Sequence, residues 1–361
     1  VINENSPSDA RALLAYYNLE QYPDTYIFYG PMFSDAYAGQ DSDNPYKDDK
    51  PKYEKDLNSG KYIIVNDWES GKINSNSEHL GLLPRMWSSE HAANYMQYFG
   101  YLDFKIKPEY RKENSFVKLV TEFQSRVNQG DVDSNDYHEF LSQYGGYLDI
   151  QKPSFIANIK YLFQYQMSSM YWRYFMWNFS GKQNDIQWKY DGLNGNWISG
   201  VKFIDELRLG PQTNLPSDVL NNKGRNRYYM LPLLLGLIGL LFLLKKDKNL
   251  FWIVTILFLF TGLALKVYIN ERVFEPRERD YALVGSFYVF CISIGLSVLS
   301  IHKLFQSFVK SKISIPLTVF PLLLVPLLMA FENWDDHDRS NRYTAQSLAK
   351  AYLDSIDEGS D

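Results

Sequence analysis

Two runs of this 361-residue chain hold charged side chains densely enough to do chemistry. The first, NERVFEPRERDY, carries Glu271, Arg272, Glu275, Arg277, Glu278, Arg279 and Asp280. Guanidinium forks grip phosphate oxygens in pairs, and neighbouring carboxylates orient those forks or bind hydroxyls. Set between two apolar runs, Arg277, Glu278, Arg279 and Asp280 would suit a phosphate head group on a lipid tail. The competing reading is a solvated turn whose ion pairs are worth little each. The second run, ENWDDHDRSNRY, places Asp335, Asp336, His337, Asp338 and Arg339 side by side. Asp335, Asp336 and His337 are candidate general acids or bases, and the same oxygens suit a divalent cation. Four adjacent ionisable residues cannot all face one point, so two or three would converge from a loop. The competing reading is an acidic cap for a helix starting near Tyr343. Asp338 and Arg339 join the candidate substrate-binding residues, and no cofactor or metal set is otherwise implied.

A third run, YWRYFMWNFSGKQNDIQW followed by DGLNGNWISG, sets Arg173 among Tyr171, Trp172, Tyr174 and Trp177. It reads either as aromatic anchoring at a membrane interface or as a sugar-stacking surface. Gly192, Gly195 and Gly200 lack the spacing of a phosphate-binding glycine loop. No Gly-x-Ser-x-Gly elbow, His-Glu-x-x-His or kinase set occurs. The single cysteine, Cys291, excludes an internal disulfide framework and a cysteine zinc site. A net charge of −5 without basic runs argues against a nucleic-acid partner. Twenty-eight tyrosines and 23 phenylalanines argue against a disordered chain.

The elements that must position these residues are read from hydropathy. Four apolar runs, at about 228–244, 250–268, 281–301 and 313–331, cover roughly 25 to 31 Å as helices, against a hydrocarbon core of about 30 Å. They lack the charged stripe of a soluble helix. Lys266 near the end of the second run would snorkel to the interface. Pro316, Pro321 and Pro326 predict a kinked fourth span packed inside a larger bundle. An even number of spans puts residues 1–227, 270–280 and 332–361 on one side of the membrane. Every dense polar motif then shares that side. The opposite loops carry Lys245, Lys246, Lys248, Lys303, Lys310 and Lys312 with little acid to offset them, which points weakly to the cytoplasm for them. The aromatic segment 155–179 is expected as an interfacial or re-entrant helix rather than a fifth span.

Ahead of the spans, helices are expected from Ala10, capped by Ser8 or Asp9, and over FVKLVTEFQSRVNQ and DYHEFLSQYGGYLDI. GKYIIVNDW reads as a strand, and 34–56, acidic and turn-rich, as a mobile loop. The expected division is an extracytoplasmic domain over 1–154, an aromatic segment and connector over 155–227, a transmembrane region over 228–331, and a tail over 332–361 that starts a further domain. The start at Val1 and the end in SIDEGSD predict a piece of a longer polypeptide.

Several long strings carry a resemblance. MYWRYFMWNFSGKQNDIQW, GNWISGVKFIDE, LGPQTNLP, NNKGRNRYYMLPLLLGLIGL, EPRERDYALVGSFYVF and NWDDHDRSNRYTAQSLAKAYLDS resemble the bacterial membrane-protein family known as domain of unknown function 2723. INENSPSDARALLAYYNLEQY, FYGPMF and LLPRMWSS resemble it too. That family is related to the transmembrane-protein-260-like protein O-mannosyltransferases, glycosyltransferase family 117. The resemblance implies a multi-pass protein of the bacterial inner membrane with a C-type glycosyltransferase bundle, of which this chain is a central fragment, and places the motif-bearing face outside the cytoplasm. It implies transfer of a hexose, such as mannose, from a polyprenyl-phosphate sugar to an acceptor protein, with the proposed catalytic acid ahead of Val1. Under that expectation Arg277 and Arg279 face the donor phosphate. The alternative is a non-catalytic membrane scaffold or assembly subunit with a periplasmic docking domain.

Overall fold

The computed structural model describes residues 7, 9–18, 26–275 and 277–356. The chain is mainly helical. Three helices are long and apolar enough to cross a membrane: Lys248–Ile269, Asp280–Gln306 and Ser311–His337. These are the marks of a membrane protein. The chain divides into two compact units, Val1–Ser169 with Ala264–Glu275, and Met170–Leu263 with Pro276–Asp361.

In the first unit the periodic segments form helices, except that the one expected over DYHEFLSQYGGYLDI stops at Tyr144 before Gly145 and Gly146, and its last residues, Leu148–Ile150, form a strand. Ala10–Tyr17 is capped by Asp9, whose carboxylate accepts the Ala12 N–H at 2.8 Å. Ser8, the other candidate cap, lies outside the described residues. Asn114–Gln129 ends at Gly130, which adopts the left-handed conformation that releases the chain into a turn. Asp133 then caps Ser134–Tyr144 through the N–H groups of Asn135 and Asp136. These two helices pack through Phe123 and Phe140, stacked with centroids 3.7 Å apart. Two-stranded ribbons complete the unit. Tyr29–Pro31 pairs with Leu80–Leu82, and Phe104–Ile106 with Leu148–Ile150, both antiparallel. The 34–56 stretch, expected as a loop, contributes Lys52–Lys55, which pairs with Tyr62–Asn66, the strand expected in GKYIIVNDW.

The aromatic segment is helical throughout, as Phe155–Tyr161, a wider π-helical Leu162–Arg173, and Tyr174–Phe179. Of the polar residues that interrupt its hydropathy, Lys160 and Gln164 are exposed, whereas Asn158, Gln166 and Arg173 are buried hydrogen-bonding groups. In the first unit, Asn158 accepts the backbone N–H groups of Arg85 and Met86, while Gln166 donates to Asn270 and to the Glu271 carbonyl. Arg85, fully buried, donates to the Val267 and Ile27 carbonyls. Lys266 corrects the snorkelling expectation. It is fully buried, with its ammonium 2.7 and 2.8 Å from the two oxygens of Glu271, equally buried. A carboxylate five residues on, brought back by the left-handed turn at Asn270, replaces water as its partner.

The second unit holds the apolar helices. Leu231–Lys246 covers the first apolar run. It starts on left-handed Met230 and Pro232, and Asp247 ends it. Asp247 also caps the next helix, accepting the N–H groups of Asn249 and Leu250. With 16 residues it is about 24 Å long, shorter than the other three. It packs on Asp280–Gln306 through missing side chains: a Cβ on Gly239 would stand 1.7 Å from the Ser293 carbonyl oxygen, and one on Gly236 would strike the Phe290 ring. Small residues are what let membrane helices approach this closely. Phe175, Phe179 and Phe290 form a core beside this contact. Ser311–His337 keeps its helix through Pro316, Pro321 and Pro326 but buries only Ser314, Thr318 and Val325 along its length. This unit therefore does not by itself enclose the helix.

Candidate functional site

Every candidate site residue lies in the second unit. Beyond Phe179 the chain enters a strand pair, Gly181–Lys182 against Asn226–Arg227. Gly181 is required there: its φ is 143°, and a Cβ would come within 2.4 Å of the Asn226 carbonyl oxygen. The strand pair clamps the end of Ser311–His337. Asn226 donates to the Glu332 carbonyl at 2.7 Å and to Asn333 Oδ1 at 2.9 Å. The Arg227 N–H donates to Glu332, and the Tyr228 hydroxyl to Asn333.

That clamp sets Lys182 over the acidic motif. Its ammonium is 2.8 Å from Asp336 Oδ2 and 2.6 Å from Asp185 Oδ1. Burial opposes the charge on Lys182, but the two carboxylates hold its pKa above the ordinary lysine value. Asp336, with its side chain 4% exposed, is thereby an anchored carboxylate rather than an open one. Its second oxygen lies 2.7 Å from His337 Nδ1, which also faces the Asn333 carbonyl at 3.0 Å. Both neighbours of Nδ1 are acceptors, so a neutral ring carries its proton there and leaves the Nε2 lone pair free. His337 itself is exposed. A positioned carboxylate, a fixed tautomer and an open imidazole nitrogen are the parts of a general base. Asp335 is exposed, and so are Asp338 and Arg339; Asp338 accepts the Ser340 N–H.

The other charged loop divides into inward and outward residues. Glu278 pairs with Arg173 and accepts Gln187 Nε2 at 3.1 Å. Arg173, expected among aromatics as a surface, is buried instead. It donates to the Gly195 carbonyl and is stacked by Trp177 and Trp188, 5.0 and 5.7 Å from their ring centres. Arg277 and Asp280 are exposed, and Arg279 stands at the start of Asp280–Gln306. One segment links both motifs, because Lys182 holds Asp336 while Gln187 and Gly195 hold Glu278 and its partner. Asn184, Asp191 and Asn196 tie that segment to itself, and buried Asp205 staples its end through the Ser199 and Gly200 N–H groups.

Beside the motif lies an open cavity of ≈ 640 Å³, lined by Leu220, Lys223, Arg225, Phe331, Trp334 and Asp335 among others. Lys182, Lys223 and Arg225 went unassigned in the sequence. The signal was there for the last two, in KGRNR placed directly before an apolar run, where cations meet lipid head groups. Among the described residues no group of three His, Cys, Asp or Glu side chains is placed to hold a metal ion.

The profile of a family described as one of unknown function, DUF8416, matches residues 23–163. That similarity covers less than half of the chain and lies ahead of Arg173 and both charged motifs. No curated protein and no solved structure matches the chain.

Proposed function

We propose that this chain belongs to a membrane glycosyltransferase that moves a hexose from a polyprenyl-phosphate donor to a protein hydroxyl, on the extracytoplasmic face of a bacterial inner membrane. The observation that carries the reading is the Lys182–Asp336–His337 array at the end of an apolar helix. The acceptor oxygen attacks the anomeric carbon, the bond from that carbon to the phosphate oxygen breaks, and the hydroxyl proton passes to His337 Nε2. Arg277 and Arg279 take up the charge of the leaving lipid phosphate. Asp335, Asp338, Arg339 and Asp280 face the sugar and the acceptor, while Asp336 and Glu278 position the groups beside them.

The reading includes four crossings, with Leu231–Lys246 as the first. The support is connectivity. Asn226 and Tyr228 bond to Glu332 and Asn333, so the chain leaves for the membrane and returns to one place. Three crossings alone would leave those partners on opposite faces.

The test is transfer of labelled hexose from a polyprenyl-phosphate donor by the complete protein in lipid nanodiscs. Arg277→Ala, Arg279→Ala and His337→Gln should each lower the rate by at least about a hundredfold, on the scale of a lost acid–base or charge-stabilising group, with insertion unchanged. Full activity in all three would remove the assignment.

A further inference from the structure

Ser311–His337 borders two hollows, the cavity at its end and another nearer its middle. The second, an apolar hollow of ≈ 260 Å³, is lined by Leu235, Ile294, Val319, Leu322, Leu323 and Pro326 among others. On the helix, residues 319, 322, 323 and 326 recur at spacings of three and four, and the same spacing leads on to Ala330 and Trp334 of the first cavity. The two hollows therefore lie along one face, spanning about 22 Å from Val319 to Trp334 at 1.5 Å per residue.

Charge and apolarity are sorted along this face. The hollow nearer the helix middle is hydrocarbon, and the far one carries Lys223 and Arg225. Arg225 holds Gln212 through Nη2 at 3.1 Å, yet its Nε and Nη1 are buried with no hydrogen-bond partner among the described residues. Buried donors are costly unless an acceptor reaches them, and a charged acceptor answers a guanidinium best. Of the carboxylates around it, Glu332 is committed to the Arg227 N–H at 2.8 Å, Asp205 to the Ser199 and Gly200 N–H groups, and Asp335 is exposed. Phe331 and Trp334, 80% and 73% exposed, stand where the apolar helix ends, the depth at which lipid head groups lie.

We infer that this face is a binding site for an anionic phospholipid, its acyl chain along Val319, Leu322 and Pro326 and its phosphate against Arg225 and Lys223. The site is independent of the transferase reading. It uses neither Arg277 nor Arg279, and of the transfer residues it meets only Asp335.

Native mass spectrometry of the detergent-extracted chain, titrated with phosphatidylglycerol, phosphatidylcholine or inorganic phosphate, tests it. Phosphatidylglycerol should bind at least fivefold tighter than phosphatidylcholine. Lys223→Gln, on an exposed side chain, and Arg225→Gln should each remove most of that preference, with the thermal midpoint recorded as a folding control. Leu323→Trp, which fills the groove from an exposed position, should weaken both lipids alike. Equal binding of the two lipids, or an unchanged preference in both charge variants, would overturn the site. Displacement of phosphatidylglycerol by millimolar inorganic phosphate would overturn its lipid half, leaving a free-phosphate site in its place.

Discussion

Lys266 and Glu271 are both fully buried, and each is the other's neutralising partner. Removing one partner from such a pair leaves a buried charge without its opposite, typically a loss of about 3–5 kcal/mol. Glu271→Gln should therefore lower the thermal midpoint sharply, whereas the joint Lys266→Met, Glu271→Leu change should recover much of it. A midpoint in Glu271→Gln equal to the parent's would show the pair to be dispensable. His79 offers a pH readout in the same unit. It is buried, with its Nδ1 2.8 Å from Ser34 Oγ, and burial pushes its pKa below the ordinary 6.5. Below that value the unfolded chain binds a proton that the buried ring resists. The stability His79 contributes is thus present above pH 6.5 and is lost as pH falls from there through the lowered folded value. His79→Gln should flatten that limb of a stability-against-pH curve, and an unchanged limb would place its cause elsewhere. At this scale the sequence pointed to Asp335, Asp336 and His337 but not to their different roles. Those depend on Lys182, which lies more than 150 positions away along the chain and is brought near by a two-residue strand pair.

At the scale of elements, the contact of Leu231–Lys246 with Asp280–Gln306 rests on two glycines. A Cβ on Gly239 meets backbone, which cannot rotate aside, so Gly239→Leu should separate the helices at a cost of about 1–3 kcal/mol or more. Gly295, on the partner helix Asp280–Gln306 but with open space around it, is the control: Gly295→Ala should be neutral or stabilising by up to about 1 kcal/mol. Equal effects at the two positions would contradict the close approach. The helices around 10, 114 and 134 were legible because their apolar residues repeat at helical spacing and their caps are local. Of the ribbons, only the strand Tyr62–Asn66 was legible. Tyr29–Pro31 finds Leu80–Leu82 some fifty residues on, and strands of three residues leave little alternation to read. The aromatic segment is a helix, as expected, but the burial of three of its polar residues was not legible, for a related reason. Asn158, Gln166 and Arg173 look like breaks in a hydrophobic run, and only distant partners show them to be buried hydrogen-bonding groups.

For the molecule as a whole, four crossings require that the two ends of the apolar region share one face of the membrane. With Cys291 replaced by alanine, cysteines placed at Asn222 and Ser340 should react with an impermeant thiol reagent from the same side. Those at Lys246 and Ser307 should react only from the other. Labelling of Asn222 and Ser340 from opposite sides would exclude four crossings. Sequence hydropathy located all four apolar runs, but it could not say that Asn226 and Asn333 meet, and that contact is what argues for an even count. The function asks for a chemical measurement. Complete protein, reconstituted with a radiolabelled polyprenyl-phosphate hexose and an acceptor polypeptide, should transfer label to serine or threonine, with activity lost in His337→Gln. Protein that inserts, folds and binds the donor yet transfers no label under these conditions would contradict the transferase reading and favour a scaffold instead.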